Sequence, residues 1–228
     1  MVSLASRKGL YTNTSTNAHF LTEEKAEATV RSGLSRLIIS LDGSTQDTYE
    51  QYRIGGSLEQ VLQGARNVVA WKRKLRSRSP HIVFQMLVVK PNEHQIPEIY
   101  QLAREIGVDE VKLKTAQVYD YTNGHPLIPT IDRFARYRQT TDGTWELKHA
   151  LTNHCWKLWH SCVITWDGIV VPCCFDKDAE FRLGDLKTAS FRALWQGEAY
   201  RQFRTAILKG RAEIDICRNC TEGCRVWG

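Results

Sequence analysis

"RSGLSRLIIS" (31–40) and "EIGVDEVKLK" (105–114) share one layout: the end of a helical pattern, a glycine, a short link and a strand. Glycine closes a helix readily because it accepts the left-handed conformation of the residue beyond the last turn. The pattern repeats in the surrounding chain. Thr22 is placed to cap a helix whose first turn carries Glu23 and Glu24, and that helix ends at Gly33. "RLIISLD" (36–42) reads as a buried strand. Ser57 and Gln60 form a capping box, after which Leu58, Val61, Leu62, Ala65, Val68 and Val69 recur at helical spacing. "HIVFQMLVV" (81–89) is a further strand, and a helix near 93–106 stops at Gly107 before "EVKLK" (110–114). With "KGLYT" (8–12) read as the first strand, this is βα alternation. It implies a parallel sheet or barrel with helices outside. About four strands are visible, half of what a closed eight-stranded barrel needs. The expectation is therefore a piece of an α/β barrel.

The chain has 228 residues, 42% hydrophobic, enough for a real core. Its net charge is +6, from 31 basic and 25 acidic side chains. The densest basic run, "KRKLRSR" (72–78), has no interleaved aromatic residue to stack a base. It reads as a solvated helix end, so nucleic acid is not an expected partner. The opening "MVSLASRKGLYTN" lacks an apolar signal-peptide core, and no apolar run is long enough to span a bilayer. The expected compartment is a reducing cytoplasm with no membrane partner. There, clustered cysteines are metal ligands more often than disulfides.

All seven cysteines lie at or after residue 155. "CWKLWHSCVITWDGIVVPCC" (155–174) contains a β-hairpin pattern around Asp167-Gly168, a dipeptide favoured in type I′ turns. "CRNC" (217–220) follows two short helical segments near 190–196 and 198–209. Two thiolates two residues apart in a turn can point at one metal or cluster. Cys155 and Cys173 supply the other pair, with Cys174 in reserve, since neighbours on a strand face opposite ways. Cys162 reads as a packed thiol, and Cys224, His154 and His160 are subsidiary candidates. Four thiolates suit zinc and an iron–sulfur cluster equally. "YDYTNGHPLIPT" (119–130) is loop-like and marks a boundary. The expected organisation is 1–125 as the α/β part, 126–150 as a linker and 151–228 as a small α+β cysteine domain with its hairpin.

On these motifs the chain resembles radical SAM enzymes. "SLDG" (40–43), "DTYEQYR" (47–53) and the helix–strand run after them are similar to the later half of a radical SAM core. Cys155-x12-Gly168-x4-Cys173, "LGDL" (183–186), "ALW" (193–195) and "CRNC" resemble the SPASM or twitch extension. The resemblance implies an incomplete TIM-like barrel followed by an auxiliary-cluster domain. It implies that Cys155, Cys173, Cys217 and Cys220 ligate one auxiliary [4Fe–4S] cluster, with zinc the alternative metal. It also implies that Ser40 and Arg53 contact S-adenosylmethionine, provided the core is complete. Asn13, in "YTNT", is matched to the family's strand-end "TNG". The family's chemistry is often the modification of peptides, so a peptide is an expected partner. The radical-forming cluster needs Cys-x3-Cys-x2-Cys, and residues 1–154 hold no cysteine. The expectation is that this chain alone is inactive and that a missing N-terminal half of the core is a second expected partner. A non-catalytic scaffold binding a peptide or protein is the competing expectation.

Overall fold

The computed structural model describes residues 1–222 and divides into two compact units, with the division between Trp145 and Glu146. The first unit opens with a helix not expected from sequence, α1 (Val2–Arg7). Lys8 and Gly9 close it by donating to the carbonyls of Ala5 and Ser6. That closure displaces the expected strand at 8–12: β1 is Asn13–Thr16, and Leu10 and Tyr11 are exposed.

The alternation then runs as expected. It comprises α2 (Glu23–Arg31), β2 (Arg36–Ser40), α3 (Gln46–Tyr52), α4 (Leu58–Lys74), β3 (His81–Val88), α5 (Ile96–Ile106) and β4 (Glu110–Thr115). Thr22 Oγ1 accepts from Lys25 N at the start of α2, and Ser57 Oγ accepts from Gln60 N at the start of α4. Gly107 ends α5 with φ 90°, a conformation that costs a glycine little.

The strands form one sheet in the order β1-β2-β3-β4, every pair parallel. β3 is central, and five of its eight residues are buried because a parallel sheet is covered on both faces. β1, at the edge, is polar and exposed. The six apolar residues expected to face inward from α4 are all buried. They join Ile39, Leu41, Ile82, Phe84, Met86 and Val88 in the main core. Each fully buried aliphatic side chain there contributes about 1.5–3 kcal/mol.

At the carboxyl edge of the sheet a buried amide ties two strands together. Asn92, 1% exposed, donates through Nδ2 to the carbonyls of Asp42 (3.0 Å) and Leu87 (2.9 Å). Its Oδ1 accepts from Val89 N at 2.8 Å. Asn92→Ala strands three buried main-chain groups, and the expected loss is about 2–4 kcal/mol of unfolding free energy. Urea unfolding followed by far-UV circular dichroism measures it, and a loss under about 1 kcal/mol would contradict the tie.

Residues 126–150, expected as a linker, hold β5 (Tyr137–Gln139) and β6 (Trp145–Leu147), paired as a two-stranded sheet. Tyr137 is buried, stacks on Tyr121, and exchanges hydrogen bonds with both main-chain groups of Val118. Much of this segment therefore packs as part of the first unit.

The second unit contains α6 (Lys157–His160), β7 (Val163–Ile164), β8 (Ile169–Val171), β9 (Gly184–Asp185), α7 (Phe191–Trp195) and α8 (Glu198–Gly210). The hairpin β7–β8 is present, and β9, inside "LGDL", adds a third antiparallel strand. The turn is not type I′, because that turn needs positive φ at both central residues and only Gly168 (φ 93°) has it. Instead Gly168 N donates to Thr165 O, and Thr165 N donates to Ile169 O across a longer loop. The core of this unit gathers Leu158, Val170, Leu183, Tyr200, Phe203, Ile207 and Cys217. Among the described residues no helix is long and apolar enough to cross a membrane.

Candidate functional site

Two groups of chemistry-bearing residues stand out, one in each unit. In the first unit they lie at the carboxyl ends of the parallel strands, the edge at which open α/β sheets bind ligands. Ser40 ends β2 and Asp42 follows it. Asp42 is fully buried. Its Oδ1 accepts from Leu87 N at 2.6 Å and its Oδ2 from Arg53 Nε at 2.5 Å. Burial raises the Asp42 pKa from its ordinary 3.8, and the Arg53 charge opposes the rise. Arg53 keeps a third of its side chain exposed, and its two Nη groups have no hydrogen-bond partner among the described residues. A guanidinium held at one nitrogen and open at the others suits a carboxylate-bearing ligand.

Asn13 does not join this group. The register pairs Asn13 with Arg36 and Thr16 with Ile39. Asn13 therefore sits at the amino end of the sheet, about 13 Å of strand from the level of Ser40. The strand-end sequence is Thr16-Asn17-Ala18, and Ala18 has φ 61°, the left-handed conformation glycine takes freely. Asn17, rather than Asn13, stands at the carboxyl edge. The cue was present in the sequence as "TNA". It was hidden because the strand was expected one residue-run too early.

The second group is the cysteines. Cys217 and Cys220 are buried in the turn after α8, where Cys217 N donates to Ile214 O and Cys220 N to Cys217 O. Cys155 opens the unit before α6, and Cys155 and Cys173 are half-buried. The arms that carry them are joined: Arg211 donates to His154 O, next to Cys155, and to Cys220 O. Cys173, Cys220 and Cys155 each act to raise the Cys217 pKa, and Cys155 acts likewise on Cys220. Burial, the largest influence, pushes the Cys217 thiol up to about 12 and raises Cys173 and Cys220 as well; Arg211 pulls Cys217 and Cys220 down. Without a metal these thiols hold their protons, and binding a metal releases them.

Asp176 N donates to Cys173 O at 3.2 Å and so holds the turn after that cysteine. The main-chain N–H groups of Phe175 and Asp176 oppose the rise of the Cys173 pKa, and that of Glu222 opposes the rise at Cys220. The donor set therefore fits a thiolate-held cluster. Among the described residues, no group of three or more His, Cys, Asp or Glu side chains lies close enough to hold a single metal ion.

The remaining candidates separate. Cys173 and Cys174 do not share a strand, since β8 ends at Val171 and both lie in the following turn. Cys174 is exposed. Cys162 packs in the second core with Tyr200. His160 Nδ1 lies 2.8 Å from Trp156 O, within its own helix. Asp176, buried beside Cys173, spends its carboxylate on the N–H groups of Glu180 and Phe181. Cys224 lies outside the described residues. Sequence reasoning missed Arg211, a buried guanidinium among the cysteine arms, because a lone arginine in "KGRAEIDIC" carries no spacing signal.

Known proteins resemble the chain. Residues 155–221 match the SPASM family, an iron-sulfur cluster-binding domain. The PqqA peptide cyclase of Gluconobacter oxydans is 35% identical over 136 residues, 58% of this chain and 36% of that protein. Streptococcus suis SuiB superposes with TM-score 0.64 at 13% identity, covering 90% of this chain and 53% of SuiB. A structure of anSMEcpe with AdoMet and the Kp18Cys peptide gives TM-score 0.60 at 14% identity, covering 95% of this chain and 66% of that one. SuiB has also been solved with precursor peptide SuiA, with TM-score 0.62 at 11% identity over 98% of this chain and 56% of that one. The chain thus spans about a third to two thirds of the length of these relatives. The structural likenesses establish the fold alone: part of an α/β barrel, with parallel strands and helices outside.

Proposed function

We propose that this chain, a radical SAM/SPASM protein, holds one auxiliary [4Fe–4S] cluster on Cys155, Cys173, Cys217 and Cys220 and takes part in radical modification of a peptide. The observation that carries the reading is that segments about 60 residues apart in sequence meet here: the Arg211 fork joins His154 O, beside Cys155, to Cys220 O, with Cys217 and Cys220 buried in the same turn and Cys173 close enough to raise the Cys217 pKa. The SPASM match over the same residues supports iron and sulfide rather than zinc. A bound cluster supplies one-electron chemistry.

Ser40, Arg53 and Asn17 form the second half of the proposal. They line the carboxyl edge of the sheet, and Arg53, steadied by Asp42, presents open Nη donors to the carboxylate of S-adenosylmethionine. The peptide substrate is proposed from the relatives, one named for the peptide PqqA and another solved with precursor peptide SuiA. Residues 1–154 contain no cysteine, so we place the radical-forming cluster outside these 228 residues, either in the same polypeptide or on a partner that completes the core. The chain alone then binds its auxiliary cluster without cleaving S-adenosylmethionine.

Anaerobic reconstitution with iron and sulfide, followed by metal and sulfide analysis, tests the reading. The expected result is about four irons and four sulfides per chain, with no 5′-deoxyadenosine formed on adding S-adenosylmethionine and reductant. Stoichiometric zinc that iron cannot replace would establish the scaffold reading instead.

A further inference from the structure

Arg211 is 1% exposed, the largest fully buried side chain among the described residues. Its fork reaches main-chain carbonyls on both arms of the cysteine site. Nη1 donates to His154 O at 2.7 Å, the residue just before Cys155. Nη2 donates to Cys220 O and to Glu222 O, both at 2.7 Å. Asn153 fastens the same junction from outside: its Oδ1 accepts from Arg211 N at 3.0 Å and its Nδ2 donates to Lys209 O at 3.1 Å. The Lys157–Glu222 ion pair also joins these arms, but both partners are more than a third exposed and water screens it.

We infer that Arg211 is a positioning residue of the cluster site, clamping the Cys155 arm to the Cys220 arm and placing a buried positive charge beside the sulfurs. The inference rests on the cluster assignment above and deepens it. Burying an arginine is costly unless its charge meets an opposite one. A cluster on four thiolates is such a partner, because its net charge is negative and becomes more so on reduction. A cation fixed beside it favours the reduced state and raises the reduction potential. The planar fork bridges diverging carbonyls, and the single ammonium of lysine cannot hold all three in the same geometry.

Two variants of the full chain separate clamp from charge. Arg211→Lys keeps the charge and loses the fork. It should lose cluster iron to a ferrous chelator several-fold faster than the parent while keeping the parent's midpoint potential. Arg211→Met keeps bulk and loses both, so it should bind several-fold less iron, and the cluster that remains should titrate at a lower potential by electron paramagnetic resonance. An Arg211→Lys protein with the parent's rate of iron loss overturns the clamp, even if Arg211→Met proves insoluble. An Arg211→Met protein with parental potential overturns the charge role. A parent chain that takes up no iron overturns the cluster assignment itself, a distinguishable failure.

Discussion

On the proposed assignment, replacing Cys217 and Cys220 together by alanine should remove the cluster: iron per chain after anaerobic reconstitution is expected to fall at least about tenfold, with loss of brown colour. The two thiols are the buried half of the four-cysteine group, and two ligands cannot hold a cubane that four hold. The contrast is with Cys174→Ser. That thiol is exposed, and its substitution leaves the iron count unchanged. Binding is also linked to folding, since whatever binds only the native state stabilises it. Occupancy at a thousand times the dissociation constant is worth about 4 kcal/mol. Thermal unfolding should therefore separate the reconstituted parent from its own metal-free form, while the double variant shows one transition with or without iron. Full iron content in the double variant would remove these cysteines from the site.

Arg53→Ala should destabilise the first unit by about 3 kcal/mol at neutral pH. It leaves Asp42, fully buried, without its cation. The figure is at the low end for breaking a buried pair because Arg53 is itself a third exposed. The pH dependence gives the sign. The folded pKa of Asp42 is raised above 3.8, chiefly by burial. Its contribution to stability is thus fully present below about pH 3.8 and is lost as pH rises through the folded value. Arg53 limits that rise, so removing it moves the folded value higher and widens the window of loss. The gap between variant and parent should be small near pH 4 and full at pH 7, read from urea unfolding at both. Adding Asp42→Asn should recover most of the gap, because the amide oxygen still accepts from Leu87 N and carries no charge. An equal gap at both pH values would mean that packing, not charge, is what Arg53 supplies.

Local signals were legible where one segment decides its own structure. The spacing of Leu58, Val61, Leu62, Ala65, Val68 and Val69 set out α4 because burial on one face needs only helical geometry. Gly107 marked the end of α5, and the apolar run 81–89 marked β3. Cys217-x2-Cys220 drew attention to the turn that presents both thiols. The errors came where distant contacts decide. Asn13 and Asn17 look alike in sequence, and only the parallel register of β1 on β2 shows which end each occupies. Lys8 and Gly9 read as the start of a strand until the packing of α1 made them its cap.

By itself the sequence established the βα alternation, the cysteine cluster and the absence of thiols from residues 1–154, because periodicity, caps and residue type act over a few positions. Tertiary structure alone decided which residues share an edge, how Asp42 and Arg53 pair, and that Arg211 lies between the cysteine arms. Those facts depend on desolvation and on hydrogen bonds between groups up to 57 positions apart. Whether a charged side chain is buried, and what it meets there, is a property of the folded neighbourhood and leaves no periodic trace in the chain.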